Sequence, residues 1–403
     1  MGGAGALAAC NETSSAGADE PAEPKEAGAP KERTRVPFHG KHQAGVLLRA
    51  PEAGIVAAFN AHAKDREELA DAFRALSREA QHLMDGVPPE QRAPAFPPTD
   101  SGVFGDVLPP AELSVIVGVG ASLFDDRYGL ASRKPRELAR MPFLANDKLD
   151  PALTHGDVSI TISAANADTT NYALRQLMRR TRGAFTLRWM LEGFNTIQGD
   201  FGAGFAPGRN LLGFKDGTAN PDANDDGLMD DLVWVGPDRY EPAWAEGGTY
   251  QAIRIIRMFV EFWDRTALGE QEALIGRHKL SGAPLGGKQE NDELDYAGDD
   301  EGDRVPLDAH IRLANPRTEK TEKNRILRRG FSYSRGFDSA GRLDQGLLFS
   351  AFQASLQDGF LTVQQRLKGE PLEEYILPVG GGFFYVLPGV ASKRGYLGES
   401  LLS

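Results

Sequence analysis

A similar order of strands and helices appears in both halves of the chain, and this similarity limits the fold more than any other feature of the sequence. Apolar residues alternate with a period of two where we predict strands, and they recur at helical spacing where we predict helices. In the first half the pattern predicts strands at 44–48, 55–59, 113–119, 158–163 and 185–191, and helices at 65–83 and 168–180. In the second half it predicts strands at 250–260, 347–352 and 383–387, and a helix at 355–367.

This order predicts an α+β protein whose two halves each carry an antiparallel β-sheet with flanking helices. The strict strand–helix alternation that a doubly wound parallel sheet requires is not present. A chain of 403 residues with 41% hydrophobic content is large enough for such a duplicated core. We predict a leader at 1–36, an N-terminal half at 37–225 and a C-terminal half at 226–403.

Composition excludes several classes of function. The chain has one cysteine, Cys10, so a disulfide, a Cys-based zinc site or an iron–sulfur cluster within one chain is excluded. Covalent haem attachment through Cys-x-x-Cys-His is excluded for the same reason. The net charge of −12 argues against a nucleic-acid partner. No apolar run approaches the roughly 18 residues of a transmembrane span.

The leader resembles the end of an export signal followed by a disordered tether. Residues 2–9 are small and apolar, and a stretch rich in Gly, Ala, Glu, Pro and Lys continues to about Arg35. Two forms of signal stay open: cleavage among the small residues, and a lipid anchor at Cys10. No Lys or Arg precedes Cys10, so a leader without function is the alternative. We expect an exported protein, either extracellular, periplasmic or in the cell envelope.

Three motifs of other functions are incomplete. Residues 118–123 lack the third glycine of a dinucleotide-binding loop. Residues 282–288 have P-loop spacing, but Gln289 follows where Ser or Thr should bind magnesium. Residues 222–227 match the start of a calcium-binding loop, but Val233 occupies the position of the bidentate Glu. Nucleotide and calcium binding are therefore not expected.

One histidine has a distinctive sequence environment. His310 lies between Pro306 and Pro316, and Arg312 and Arg317 are close to it in the chain. A haem ligand needs a neutral imidazole, an acceptor for its second ring nitrogen, and cations that can pair with the propionates. His310 and the two arginines meet part of this requirement, although the spacing alone also fits a structural histidine.

Two further segments carry charged groups in unusual positions. In Gly213-Phe-Lys-Asp216-Gly217, two glycines bracket one carboxylate, so the backbone can pass close to a flat ligand. Arg328 lies in an apolar, strand-like segment at 326–333, where a guanidinium is costly unless an anion is near. Each segment alone also fits an ordinary turn or strand.

In this order, the three segments resemble the dye-decolorising (DyP-type) haem peroxidase family, and within it the exported deferrochelatase/peroxidase subfamily of iron-uptake operons. Residues 213–217 match its Gly-x-x-Asp-Gly signature, 308–312 its axial-histidine segment, and Arg328 its distal arginine. Other similar stretches lie at 40–45, 118–124, 262–265, 344–349 and 380–384. The resemblance runs from about residue 37 to 389.

The resemblance implies a duplicated ferredoxin-like fold with haem b bound non-covalently in the C-terminal half. It makes His310 the axial ligand of the iron. It makes Asp216 the proton shuttle and Arg328 the electrostatic stabiliser on the face where peroxide reacts. It does not rank the contributions of Asp216 and Arg328.

The resemblance also implies supporting residues around the cofactor. Gly217, Asn220 and Arg312 are expected to contact it. Asp344 is expected to accept the second ring N–H of His310, with Asp308 as the local alternative.

One position departs from the family pattern. Many relatives carry Asn or Ser two residues after the distal arginine, where this chain has Gly330, so that side chain cannot bind peroxide here. Arg329 is the alternative candidate for the distal arginine, although residues 326–328 match the family sequence better when Arg328 is chosen.

The implied activity is reduction of hydrogen peroxide through a ferryl intermediate, coupled to oxidation of dyes, phenolics or similar electron donors. A deferrochelatase that removes iron from haem, a non-catalytic haem carrier and an acid/base hydrolase are the alternatives. The resemblance leaves a homo-oligomer open. It also implies export of the folded, haem-loaded protein by the twin-arginine (Tat) route.

Overall fold

The structure, a computed structural model, describes residues 34–88, 92–105, 108–195 and 208–403. These residues belong to one folded unit. The predicted leader lies outside the described residues except for 34–36, and the boundary between residues 225 and 226 stays a prediction. Within the described ranges, no helix combines the length and the apolar composition that crossing a bilayer requires.

The N-terminal half is a four-stranded antiparallel sheet with two helices, in the strand order β2-β3-β1-β4. This is the strand order of a ferredoxin-like unit. Its elements are β1 (Ala53–Ala61), α1 (Arg66–Asp85), β2 (Ser114–Gly120), β3 (Val158–Ala164), α2 (Ala167–Arg180) and β4 (Phe185–Phe194).

The C-terminal half repeats this order, with β7-β8-β5-β9 as the sheet, and the expected duplication is confirmed. Its elements are α3 (Asp226–Leu232), β5 (Thr249–Met258), α4 (Val260–Trp263), α5 (Leu268–Ile275), α6 (His310–Ala314), β6 (Leu327–Arg328), β7 (Phe331–Phe337), β8 (Leu343–Gln353), α7 (Thr362–Leu367), β9 (Ile376–Val386) and α8 (Glu399–Leu402). Short 3-10 turns lie at Ala44–Val46, Ala121–Phe124, Ala131–Arg133, Pro151–Leu153, Pro237–Arg239, Ala243–Ala245, Glu319–Asn324 and Pro371–Glu374.

The two sheets are also hydrogen-bonded to each other at both edges. Strand β2 pairs with β9 at Gly118–Gly120, and β4 pairs with β7 where Phe194 faces Ser332. Because β5 also pairs with β8, the strands close into a ring, and β6 extends the edge of β8. Pairing satisfies backbone groups that a free edge strand would leave exposed.

Strand β1 is buried on both faces, which explains its continuous apolar sequence. Ile55, Ala57 and Phe59 pack into the large core beneath α1 and α2. Val56 and Ala58 pack on the other side, with the side chains that fill the ring. Helix α1 begins as predicted, because the Asp65 carboxylate accepts a hydrogen bond from Glu68 N at 2.9 Å.

The prediction of a strand at 44–48 was wrong, because a side chain takes the place of the backbone there. Gln43 Nε2 donates to the carbonyl oxygens of Val117 and Leu387 at 2.8 Å each, and its Oε1 accepts from Val117 N at 2.8 Å. Residues Ala44–Val46 form a 3-10 turn instead. The glutamine therefore bridges β2 to the segment that follows β9.

The predicted helix at 355–367 is interrupted. A π-helical turn covers Gln357–Leu361, in which Gly359 has non-helical dihedral angles, and the α-helix proper is α7. A Cβ atom on Gly359 would lie 3.0 Å from side-chain atoms of Gln353 and Ile326. Because Gly359 has no side chain, the chain can pack closely here and turn into α7. Helix α7 forms one wall of a large cavity.

Candidate functional site

A cavity of about 670 Å³ brings together the residues that the sequence singled out. His310, Asp216 and Arg328 all line it, although more than 100 residues separate Asp216 from Arg328. Its walls come from the 208–224 segment and from β5, β6, α6 and α7. Pockets of this size are typical of cofactor and ligand sites.

His310 is the first residue of α6, and a buried carboxylate holds its ring. The Nδ1 atom lies 2.7 Å from Glu370 Oε2, with the Glu370 side chain 3% exposed and the His310 side chain 33% exposed. Donation of Nδ1–H to this carboxylate fixes the tautomer, so Nε2 keeps its lone pair. The arrangement is that of a metal-binding histidine supported by a carboxylate.

Glu370 corrects the sequence-based choice of the acceptor. Asp344, near the start of β8, instead forms an ion pair with Arg335 at 2.9 Å, which balances its negative charge. Asp308 is exposed at the surface. Sequence reasoning missed Glu370 because it lies 60 positions from His310 in an ordinary Gly-Glu-Pro turn.

The assignment of Arg312 to the cofactor is also corrected. Its guanidinium pairs with Asp299 at 3.0 Å, donates to the Val305 carbonyl at 2.8 Å and stacks over the Tyr296 ring. Arg312 therefore holds the preceding loop and does not line the cavity. Arg317, the second cation noted beside His310, does line it.

Asp216 and Arg328 form an ion pair at the cavity wall. Arg328 Nη1 donates to Asp216 Oδ1 at 2.8 Å, and each side chain is about one-third exposed, at 31% and 32%. Gly213 and Gly217 have φ angles of 87° and 91°, a region that glycine adopts at little cost. These two glycines shape the turn that presents the carboxylate.

Asn220 positions the arginine through the backbone. Its Nδ2 donates to the Arg328 carbonyl at 2.8 Å, and its Oδ1 accepts from Arg328 N at 3.2 Å. This double contact fixes β6 against the 213–217 turn. A Cβ atom on Gly330 would lie 2.9 Å from the Leu348 carbonyl oxygen, so a larger residue is disfavoured at this position.

Arg329 makes different contacts from Arg328. Its side chain is buried, and it donates to the Leu48 carbonyl and to Ser163 Oγ at 2.7 Å each. Burial lowers the pKa of Arg329 to about 10. Arg328, in contrast, donates to the Asp216 carboxylate, which favours Arg328 over Arg329 in the sequence match.

A group of arginines gives part of the cavity a positive potential. Arg277, Arg317 and Arg328 all line it, and sequence reasoning missed Arg277. Burial, followed by the nearby charge of Arg317, lowers the pKa of Arg277. Among the described residues, Arg277 Nη1 donates only to the carbonyls of Gly282 and Glu290, at 2.7 and 2.9 Å. Like charges held together in this way favour an anionic ligand.

The described residues fit a haem group. The histidine offers Nε2 to an iron, and the arginines can pair with propionates. Apolar side chains from several elements can face the porphyrin: Ile256, Met258, Ile311, Leu347, Phe349 and Leu367. The predicted contacts Gly217 and Asn220 also lie on the wall.

Two family models and several curated proteins match this chain. The Dyp-type peroxidase N-terminal model matches residues 43–195, and the Dyp-type peroxidase C-terminal model matches 207–391. A deferrochelatase from Shigella flexneri serotype 5b (strain 8401) is 50% identical over 367 residues, covering 91% of this chain and 87% of that protein. A deferrochelatase from Escherichia coli (strain K12) is 49% identical with the same coverage.

Solved structures show the same similarity. Ferric DtpA from Streptomyces lividans superposes with a TM-score of 0.84 at 35% identity, covering 93% of this chain and 99% of that chain. A DyP-type peroxidase from Cellulomonas bogoriensis gives a TM-score of 0.83 at 34% identity, covering 93% of this chain and 100% of that chain. The matched ranges include the cavity residues Asp216, His310 and Arg328. The chain belongs to the Dyp-type peroxidase family.

Proposed function

We propose that this peroxidase binds haem b without a covalent bond, reduces hydrogen peroxide, and oxidises dyes, phenolics or similar electron donors. The observation that carries the proposal is one cavity lined both by a carboxylate-held histidine and by an Asp–Arg pair. Bound haem would supply the redox-active iron. The chain itself would supply the ligand, the proton transfer and the charge stabilisation.

His310 would hold the cofactor through Nε2. The Glu370 carboxylate keeps the proton on Nδ1 and raises the basicity of the ring. Arg317 and Arg277 would face the propionates, because both line the cavity and neither is paired with a carboxylate in the described structure. Arg312 has no part in this assignment.

Asp216 and Arg328 would act on peroxide. Cleavage of the O–O bond requires a proton to move from one peroxide oxygen to the other, and an Asp216 carboxylate can accept and return it. The leaving oxygen develops negative charge, which the Arg328 guanidinium can stabilise. In the present ion pair each group already holds the other at the cavity wall.

Deferrochelatase activity is the second candidate. It is favoured by the deferrochelatase names of relatives that are 49–50% identical over 91% of this chain. The discriminating measurement is the fate of the porphyrin after haem is added. Accumulation of metal-free porphyrin with its ring intact supports iron removal, whereas an unchanged haem content during dye oxidation supports the peroxidase.

We also propose that the protein is exported in the folded, haem-loaded state. The support is the composition of the leader, since residues 2–9 are small and apolar and a polar tether follows. Fractionation of cells that make the full protein tests the proposal. Retention in the cytoplasm of a strain with an intact twin-arginine pathway contradicts it, and release of the exported protein from the membrane fraction after Cys10→Ala favours the lipid anchor.

The main proposal is tested by adding one equivalent of hemin to the purified protein, followed by peroxide and a phenolic donor. We expect a haem absorption band, its rapid change with peroxide, and its recovery as the donor is oxidised. A protein that takes up no hemin contradicts the haem proposal. A protein that takes up hemin but does not react with peroxide is the non-catalytic carrier.

A further inference from the structure

A second cavity, of about 600 Å³, lies mainly in the N-terminal half, with Phe383 of β9 also lining it, and it shares no lining residue with the haem cavity. It lies where the ends of β1 and β4 meet the segment around His155. Its volume is in the range of sites for small organic ligands. No function assigned above uses it.

The charges lining this cavity are strongly unbalanced. Of the described residues, Arg127, Arg140 and Arg188 line it, against the single carboxylate of Asp157. That carboxylate is already bonded, since it accepts from Ala61 N at 2.8 Å and from Arg127 Nη1 at 3.1 Å. The lining carboxylate therefore leaves the other two arginines without a counterion.

Arg140 and Arg188 are the two arginines available to a ligand. Arg188 donates to the carbonyls of Thr154 and Pro151, at 2.7 and 2.9 Å, which orients the guanidinium without neutralising it. Arg140 is exposed, and among the described residues it has no hydrogen-bond or ion-pair partner. A carboxylate or sulfonate can accept hydrogen bonds from such guanidinium groups.

His155 lines the same cavity and lies close enough to Arg140 and Arg188 to feel their charges. Its φ of 59° is unusual for a residue with a side chain, and its carbonyl accepts a hydrogen bond from Trp189 Nε1 at 2.7 Å. Burial, then the charges of Arg140 and Arg188, lower the pKa of His155. The ring is therefore a neutral hydrogen-bonding group in a positive field, which suits an anion better than a cation.

A buried hydroxyl marks the same cavity. Tyr128 lines it with only 3% of the residue exposed, and among the described residues its hydroxyl has no hydrogen-bond partner of standard geometry. A buried polar group without a partner is destabilising, so its presence points to a ligand or ordered water. Phe383 and four alanines supply apolar surface beside it.

We propose that this cavity is a binding site for an aromatic carboxylate or sulfonate, separate from the haem site. Arg140 and Arg188 would bind the anionic group, Tyr128 would donate a hydrogen bond, and Phe383 with the alanines would contact the ring. A metal ion does not fit, since no cluster of three potential ligands occurs in the described ranges. The inference is independent of the reaction at the haem.

Calorimetric titration of the haem-loaded protein with 2-naphthalenesulfonate tests the proposal. We expect saturable binding that weakens roughly tenfold in Arg140→Ala, because a charge-assisted hydrogen bond is lost. Arg175→Ala is the matched control, because Arg175 is exposed on α2 and does not line the cavity. The neutral analogue 2-naphthalenemethanol should bind more weakly than the sulfonate, and the haem spectrum should not change on binding.

Tyr128→Phe gives an independent readout. It removes a hydroxyl that makes no hydrogen bond of standard geometry within the described part of the chain, so thermal stability should be kept while sulfonate affinity falls. The proposal is overturned if the wild type shows no saturable binding, or if Arg140→Ala and Arg175→Ala bind equally well. Unchanged affinity in Tyr128→Phe, or displacement of haem by the sulfonate, also contradicts the site described.

Discussion

The Nδ1 atom of His310 lies 2.7 Å from the carboxylate of Glu370, a residue 60 positions away in the chain. The carboxylate is buried, whereas the imidazole lines the cavity. The contact to Nδ1 is therefore shielded from solvent, and Nε2 is the nitrogen available to a ligand. This contact determines which nitrogen can bind a metal. It also provides a way to tune the metal, because the basicity of the ring depends on its acceptor.

Replacing Glu370 should change the midpoint potential of the haem more than it changes the affinity of the protein for haem. In Glu370→Gln the amide oxygen can still accept from Nδ1–H, but the negative charge is gone, so the ferric state is less stabilised. We expect haem to be retained and its ferric/ferrous midpoint potential to rise, as measured by spectroelectrochemistry. Glu374→Gln is the control, since Glu374 is exposed and outside the cavity. Equal potentials in the two variants contradict this account.

Removing both Asp216 and Arg328 should slow the reaction with peroxide while haem stays bound. General acid–base catalysis contributes about 10²–10⁴-fold, so the double variant Asp216→Ala/Arg328→Ala should lose at least about 10²-fold. Stopped-flow measurement of the second-order rate constant checks this. Asp308→Ala, which changes an exposed carboxylate near His310 in sequence, should react like the wild type. A double variant with the wild-type rate constant points to a haem carrier or to another catalytic pair.

The buried ion pair between Arg254 and Asp147 should be important for stability. Arg254 Nη1 lies 3.1 Å from Asp147 Oδ2, and the two side chains are only 2% and 1% exposed. Asp147→Ala leaves a buried, unpaired guanidinium, which costs about 3–5 kcal/mol of the free energy of unfolding. Denaturant titration measures the loss. Asp71→Ala removes the exposed contact to Arg74 and should cause no measurable change; similar losses in both variants contradict the prediction.

The stability of the protein should fall as the solution becomes acidic, in part because of His42. Its ring stacks on Trp234 with centroids 3.9 Å apart and is hydrogen-bonded to the Gly247 carbonyl at 2.7 Å. Burial lowers the pKa of His42 below its ordinary 6.5. Between the folded and the unfolded pKa the unfolded chain binds a proton that the folded protein does not, so stability is lost as the pH falls through 6.5.

The measurement for His42 is the difference in unfolding free energy between about pH 8 and about pH 5.5. This difference should be smaller in His42→Gln than in the wild type. It should not vanish, because burial lowers the pKa of His155 as well. The same pH dependence in variant and wild type contradicts the role given to His42.

Features that depend on local patterns could be predicted from the sequence. Helix α1 followed from Asp65 and the helical spacing of Leu69, Phe73 and Leu76, all three of which are buried. The repeated order of strands gave the duplicated architecture. The strand predicted at 44–48 failed because the side chain of Gln43, and not the backbone, bonds to β2.

Only the site residues that lie in short, distinctive sequence motifs could be predicted from the sequence. His310, Asp216 and Arg328 stand in distinctive segments, and the fold brings them to one cavity. Glu370 and Arg277 have no local signal, because their roles arise from the packing of distant segments. Arg312 was misassigned because its closeness to His310 in the sequence did not reveal that its guanidinium forms an ion pair with Asp299.

The most direct test of the account is the iron–histidine stretching band in the resonance Raman spectrum of the reduced, haem-loaded protein. We predict that the wild type has this band and that His310→Ala loses it. His278→Ala should keep it, because His278 pairs with Glu272 and does not line the cavity. A His310→Ala protein that retains the band, or a wild type that lacks it, contradicts His310 as the ligand of the iron.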